Sequence, residues 1–316
     1  MIKAKVITDS ISTHTGQRIT TFELEYNRYI HCELMTHRVF SRNSSSSRAI
    51  PIQTMINHVK DTTAMPTHWG KNQSGMQAKT EVEDSVKQTA TQIWLQARDD
   101  AISHAQRLAA NGLHKQIVNR ILEPYQMMKV LVTATDYANW FNLRLHEDAQ
   151  PEIYALADSM YKALALSEPM EISYGEWHLP YIARERDEHG TLQYFLHDDV
   201  ELTSTPLTLE EAQKVSCSCA AQVSYRKSDT SIEKAIAIYD KLVNSSPVHA
   251  SAFEHCATPA TEPYYEYGKV DFTTLGVGVT HINTNMESCS GNFTNWIQYR
   301  QLIPNHDCKE LNLESL

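Results

Sequence analysis

The stretch His37-Arg38-Val39-Phe40-Ser41-Arg42-Asn43-Ser44-Ser45-Ser46-Ser47-Arg48 packs three arginines, a histidine, an asparagine and five serine hydroxyls into twelve residues. A phosphate group offers several acceptor oxygens, and guanidinium forks, hydroxyls and backbone N–H groups are the donors that match them. A flexible serine-rich linker is the plainer reading of such a run. The flanks argue against it, because both sides carry apolar patterning and linkers seldom interleave arginine at these intervals. The stretch reads as an ordered, anion-holding loop closed by Pro51.

Outward from the loop, the elements are mixed. Upstream, residues 2–7 alternate Ile2, Ala4 and Val6 with Lys3 and Lys5, and residues 19–26 alternate Phe22, Leu24 and Tyr26 with Thr21, Glu23 and Glu25. Both are strand patterns. A short helix is expected near Arg28–Met35. Downstream, Val82, Val86, Ala90, Ile93, Trp94, Ala97, Ala101, Ile102, Ala105 and Leu108 recur at three- and four-residue steps, which predicts a long helix over 80–110, stopped at Asn111-Gly112. A helix His114–Leu122, a buried strand over 125–134 and helices at about 136–145 and 151–165 follow. Asp187-Glu188-His189-Gly190 reads as a hairpin turn. Thr230-x-x-Glu233 reads as a capping box opening a helix over 231–243. Lys269–His281 reads as a strand carrying Gly276 and Gly278. The fold class is α+β, a mixed or antiparallel sheet packed with long helices. Three parts are expected: 1–167 with the arginine motif, 168–210 as an insertion or connection, and 211–316 as a second half.

Composition bounds the function. The chain of 316 residues is 41% hydrophobic and 21% charged, as in soluble globular proteins. No apolar run reaches the roughly 20 residues of a membrane helix, and the opening alternation is a strand rather than a secretion signal, so a cytoplasmic location is expected. The net charge of −10 disfavours a general nucleic-acid surface. Cys32, Cys217, Cys219, Cys256, Cys289 and Cys308 lack framework or zinc-ligand spacing and read as free thiols, with no metal.

The arginine loop resembles the motif R-H-R-x-x-S-x-N-x-x-S-x-R of the flavin-dependent thymidylate synthases. Thr36-His37-Arg38-x-x-Ser41-x-Asn43-x-x-Ser46-x-Arg48 matches at every fixed position but the first, where Thr36 replaces arginine; Ser44 and Ala49 replace the family's usual glutamate and tyrosine. A second resemblance follows in family order: Arg120-Ile121-Leu122-Glu123-Pro124, then Asn139-Trp140-Phe141-Asn142-Leu143-Arg144, then Ala149-Gln150-Pro151-Glu152-Ile153. A third is displaced. Ala220-Ala221-Gln222-Val223-Ser224-Tyr225 and His249-Ala250-Ser251-Ala252-Phe253-Glu254-His255 are similar to segments that precede the motif in the family but follow it here, as in a circularly permuted or partly duplicated chain.

The resemblance implies FAD as cofactor, methylenetetrahydrofolate as one-carbon donor, NADPH as reductant and dUMP as substrate. It implies that Arg144 meets the uracil and stabilises its ionised form. Ser44, Ser45, Ser46, Arg48 and Arg120 fall on the dUMP side, with Glu33 where the family has a glutamine and Arg300 as a stand-in for the arginine missing at Thr36. Thr36, His37, Arg38, Thr133, Thr135, Asn139, His249 and Ser251 fall on the FAD side. Uracil C5 is a weak nucleophile, and none of the cysteines has the Pro-Cys-His setting of the enzymes that activate it by thiolate addition. The family is a homotetramer whose sites combine chains; a duplicated chain would make do with a dimer. Two other readings stay open: C5 modification of another pyrimidine deoxynucleotide, such as hydroxymethylation or action on dCMP, and a nucleotide-binding relative without catalysis.

Overall fold

The computed structural model describes residues 1–198, 203–224, 231–261, 265–266, 269–270 and 275–308. Lys3–Ser12 (β1) turns through Gly16, whose φ of +67° costs a residue without Cβ little, and returns as Arg18–Asn27 (β2). Ser41–Ser44 (β3), Met127–Ala134 (β4) and Met170–Ile172 (β5) complete a sheet of order β3-β4-β2-β1-β5. Its neighbours are antiparallel except β1 with β5.

Period-two alternation decides what covers each face. Phe22, Leu24 and Tyr26 stand opposite Val132, Val130 and Met128. That face lies under Ala138–Arg144 (α5) and Pro151–Ala165 (α6), whose Trp140, Ile153, Leu156 and Met160 are buried on it. Four helices precede these: His31–Leu34 (α1), Ile52–Asp61 (α2), Asp84–Ala110 (α3) and Lys115–Val118 (α4). Of them α2, α3 and α4 close a separate core with the 3-10 segment Asn119–Tyr125, around Met55, Val59, Ile102 and Leu122. The sheet's other face presents Leu131 to Ala220 and Val223, at the end of Leu209–Ala221 (α7) and just beyond it, and to Ala252 in the 3-10 turn Ala250–His255. Ile232–Val243 (α8) packs outside α7.

A polar chain crosses this second face. Arg184 Nη1 donates to Ser10 Oγ (2.7 Å), which bonds His178 Nδ1 (2.8 Å). His178 Nε2 bonds Thr21 Oγ1 (2.8 Å), which meets Thr133 Oγ1 (2.7 Å), which meets His255 Nδ1 (2.9 Å). Both imidazoles are fully buried.

The hairpin Ala183–Arg186 (β6) to Leu192–Asp198 (β7), extended by Thr203–Leu207 (β8), turns where expected. Asp187 Oδ1 accepts the N–H groups of His189 and Thr191, each at 2.9 Å. Trp177, Leu179, Ile182 and Leu207 share one core with Val215, Phe253, Trp296 and Ile303, so 168–210 and the C-terminal segments are buried together. The remaining short strands are Ala257–Pro259 (β9), Tyr265–Glu266 (β10), Lys269–Val270 (β11), His281–Ile282 (β12), Ser288–Ser290 (β13), Phe293–Thr294 (β14) and Trp296–Gln298 (β15), with β15 antiparallel to β9.

Several expectations are corrected. The first part of the arginine loop is an edge strand, because Ser41–Ser44 pairs with Val130–Thr133. The long helix starts at Asp84 and buries only Ile102 and Ala105 of its apolar stripe. The capping box belongs to α7, where Thr208 and Glu211 cap each other; α8 is capped by Ser231, and Thr230 lies outside the described residues. Lys269–His281 is not one strand: β11 pairs with β10, Gly278 turns at φ +80°, and β12 pairs with β13, while 271–274 lie outside the described residues. Among the described residues, no helix is long and apolar enough to cross a membrane.

Candidate active site

The motif begins as α1 ends. Thr36 Oγ1 donates to the Glu33 carbonyl (2.7 Å) and His37 N–H to the Leu34 carbonyl (3.1 Å), a tight turn that drives the His37 ring inward. There it meets the edge of Trp140 at a centroid distance of 4.7 Å. Arg144 enters from the last turn of α5. Its Nε–H donates to His37 Nε2 at 3.1 Å, and its Nη1 lies 3.5 Å from Glu33 Oε2. An Nε2 that accepts belongs to a neutral imidazole with its proton on Nδ1. Burial lowers the His37 pKa, and the positive charges of Arg144 and Arg42 lower it further.

Arg42 points back from β3 and donates to the carbonyls of Met35 (3.0 Å) and His37 (3.2 Å). Beside it, His31 shares a 2.8 Å hydrogen bond with the Tyr26 hydroxyl. Its pKa falls to about 4, through burial first and then the charges of Arg28 and Arg42. Arg28 leads to a second cluster around one carboxylate. Glu123 Oε1 accepts from Ser47 Oγ (2.6 Å) and Arg120 Nη1 (2.9 Å) and lies 3.1 Å from Arg28 Nη2. Arg38 and Arg48 are exposed on either side of β3, and neither has an ion-pair partner among the described residues. A string of cationic groups thus runs from Arg144 through Arg42 and Arg28 to Arg120.

The C-terminal segments hold this string in place. Asn292 Nδ2 donates to the Val39 carbonyl (2.8 Å) and Ser41 Oγ (3.1 Å); Gln298 Nε2 also donates to Ser41 Oγ (3.1 Å). Asn43 Nδ2 donates to the Ala220 carbonyl (3.1 Å). The motif's Ser41 and Asn43 therefore anchor the strand, while Arg38 and Arg48 on its flanks stay exposed. Arg300 pairs with Glu254 and donates to the His306 carbonyl (3.2 Å), while among the described residues its buried Nε has no partner. His249 and Ser251 are exposed where the Ala250–His255 turn begins, and Asn139 is exposed on α5.

Three assignments do not fit. Thr133 is fully buried, its hydroxyl spent on Thr21 and His255. Thr135 Oγ1 accepts the Thr294 N–H (3.1 Å) and is nearly buried. Ser45 is buried, its backbone N–H bonding the Lys129 carbonyl (2.9 Å) and its hydroxyl accepting the Lys129 N–H (3.3 Å), so it prolongs the strand pairing. Ser44 and Ser46 stay half-buried beside it. Conversely, Arg28, Arg42, Ser47, Glu123 and Glu254 carry much of the geometry without having been singled out. Arg42 and Ser47 sit inside the motif run and Glu123 inside the Arg120–Pro124 block, so their composition was a signal; nothing in the sequence marks Arg28. Among the described residues, no His, Cys, Asp and Glu side chains cluster as a metal site, and all six cysteines are free thiols.

The architecture is that of an α+β protein whose sheet edge and flanking helix carry a buried histidine bonded to a half-buried arginine, beside a row of guanidinium groups. The family model described as thymidylate synthase complementing protein matches residues 7–170, and the chain belongs to this family. No curated protein matches it. Among solved structures it is similar to the UMP/dUMP methylase PolB from Streptomyces cacaoi bound with 5-Br UMP, at 18% identity and a TM-score of 0.45 over 52% of this chain and 89% of that one. It is also similar to thymidylate synthase X from Helicobacter pylori with FAD and dUMP, at 16% identity and a TM-score of 0.32 over 46% and 67%.

Proposed function

We propose that this chain is a flavin-dependent thymidylate synthase that methylates dUMP to dTMP in the cytoplasm, with methylenetetrahydrofolate as carbon donor, and that it works as a homo-oligomer. The observation that carries the reading is the Arg144–His37 hydrogen bond, which joins two motif blocks more than a hundred residues apart at one point. In this reading Arg144 meets the pyrimidine and stabilises the negative charge that must build on the ring before C5 can attack. Its side chain is clamped by His37 and Glu33, so little reorganisation is needed when that charge develops. The monophosphate is held by Arg48, Arg120, Ser44 and Ser46, with Glu123 aligning Arg120.

The donor set suits a flavin dinucleotide. Among the described residues Arg38 is exposed without an anionic partner, and Asn139, His249 and Ser251 are exposed polar groups, whereas Thr133 and Thr135 present nothing. When bound and reduced by NADPH, the flavin supplies the hydride that completes the methyl group. Arg300 contributes by fixing Glu254 beside the motif strand.

A second reading has one observation behind it. Glu33 takes up part of the Arg144 charge, and a carboxylate at the ring edge accepts a hydrogen bond from an exocyclic amino group. Cytosine has that group and uracil lacks it.

The test is an absorbance spectrum of the purified protein, titration with dUMP and dCMP, and product mass after turnover with the folate donor and NADPH. The expected result is a flavin spectrum perturbed by dUMP, a product one methyl group heavier, and a loss of about 10²–10³ in turnover for Arg144→Ala. A colourless protein that takes up no FAD and binds no dUMP overturns the proposal.

A further inference from the structure

A cavity of about 430 Å³, within the range of small-molecule sites, shares no lining residue with the candidate active site. One wall is apolar. The rings of Tyr29 and Trp94 meet edge to face, with centroids 6.5 Å apart and planes at 73°, and Pro66, Pro124 and Pro151 extend that corner. A second wall is a hairpin over 69–82, where Lys71 N–H donates to the Thr80 carbonyl (2.7 Å) and Val82 N–H to the Trp69 carbonyl (2.8 Å). Gly70 and Ala78 line the cavity from the hairpin's two arms. A Cβ on Gly70 would lie 2.3 Å from that of Ala78, so only glycine lets the arms close. The residues that follow them, Lys71 and Lys79, are exposed. Lys79 lies 3.9 Å from Glu147 and Asp148, and among the described residues Lys71 has no ion-pair partner.

The start of α6 sets the polar edge. Glu152 is 3% exposed and has no cationic partner among the described residues. A carboxylate offers about four acceptor sites. Thr67 fills two on Oε1, through its N–H (2.6 Å) and its hydroxyl (3.1 Å), and Gln150 Nε2 fills one on Oε2. Burial first, and then the charge of Glu152, raises the Tyr29 pKa, but that hydroxyl donates to the Met65 carbonyl (3.2 Å). Oε2 therefore keeps an open acceptor site. Gln150 Oε1 accepts the Ile153 N–H (3.0 Å), which fixes the amide, and its Nε2 keeps a second proton. We infer that this cavity seats the adenosine end of NADPH, the reductant in the function proposed above, with the 2′-phosphate on Lys71. Adenine presents an amino donor beside a ring-nitrogen acceptor, which matches the open Glu152 oxygen and the Gln150 proton. Its flat face suits the Tyr29–Trp94 corner. An ammonium at the mouth is what separates a 2′-phosphate from a 2′-hydroxyl. The diphosphate then lies toward the cationic row, which begins one residue from Tyr29 at Arg28.

Binding tests this without turnover. The full chain is titrated by calorimetry with adenosine 2′,5′-bisphosphate against 5′-AMP, and with NADP⁺ against NAD⁺. The member of each pair that carries the 2′-phosphate is expected to bind about tenfold more tightly. Lys71→Glu is expected to abolish that preference and leave 5′-AMP affinity unchanged. Tyr29→Ala, with folding checked by far-UV circular dichroism, is expected to weaken all four ligands by about tenfold, as loss of a stacking ring does. Wild type that binds no adenosine 2′,5′-bisphosphate, a 2′-phosphate that brings no gain, or a Lys71→Glu protein that keeps the gain each overturns the inference. A protein that binds adenosine 2′,5′-bisphosphate in this pattern but takes up neither FAD nor dUMP keeps this seat and loses the function proposed above.

Discussion

Arg144 does two things at once. Its Nε–H fixes the tautomer of His37, and its charge adds to burial in lowering the pKa of that ring. Arg144→Ala removes both the hydrogen bond and one of the cations that lower the His37 pKa. Its titration, followed by NMR of the ring protons, is expected to move up toward the ordinary value near 6.5. A His37 that titrates unchanged would mean burial and Arg42 alone set its state. Thr36 shows the opposite economy. Where the resemblance leads one to expect a guanidinium, a hydroxyl closes the turn behind Glu33, and Glu33 itself supplies the contact to Arg144.

Among the elements, β4 is buried on both faces, with Val130 and Val132 toward α5 and α6 and Leu131 toward α7. Leu131→Ala therefore leaves a cavity where the two halves meet, and is expected to cost about 2–5 kcal/mol in urea unfolding. A continuous apolar run made β4 legible in the sequence, as alternation did for β1 and β2. The edge strand β3 was not legible, because its Ser41-Arg42-Asn43-Ser44 has no strand composition and pairs through backbone alone. Nor was the orientation of α3, since periodicity shows that a stripe exists but not what lies against it. At the site, the motif arginines could be read from spacing. Arg28 could not, because its role comes from Glu123, nearly a hundred residues away, and Thr133 misled because a hydroxyl looks the same in sequence whether it faces a ligand or another threonine.

Across the whole molecule, the buried chain from Arg184 to His255 joins β1, β2 and β4 to the segments at 178–184 and 250–255. Burial holds the His178 pKa well below its usual value and brings His255 to about 3. Their folded pKa values lie below the unfolded value near 6.5, so their stabilisation is complete above that pH and is lost as pH falls through it. Between 6.5 and its folded value, His255 costs about 1.4 kcal/mol per pH unit. At pH 4.5 that ring alone removes roughly 3 kcal/mol, a sizeable share of an ordinary domain's stability, and His178 acts in the same direction. Urea midpoints measured from pH 7 to 4.5 should fall steeply, and His255→Asn, which has no titrating ring, should flatten the acid limb.

Ser41 is held by Asn292 and Gln298, and the Trp296 indole donates to the Gln17 carbonyl at 3.1 Å. A ribosome delivers Gln17 and Ser41 some two hundred and fifty residues before those partners. During that interval the motif strand has its β4 neighbour but lacks its clasp. The nascent chain therefore cannot mature its arginine row as it emerges, and competence arrives only when Asn292, Trp296 and Gln298 have cleared the exit tunnel.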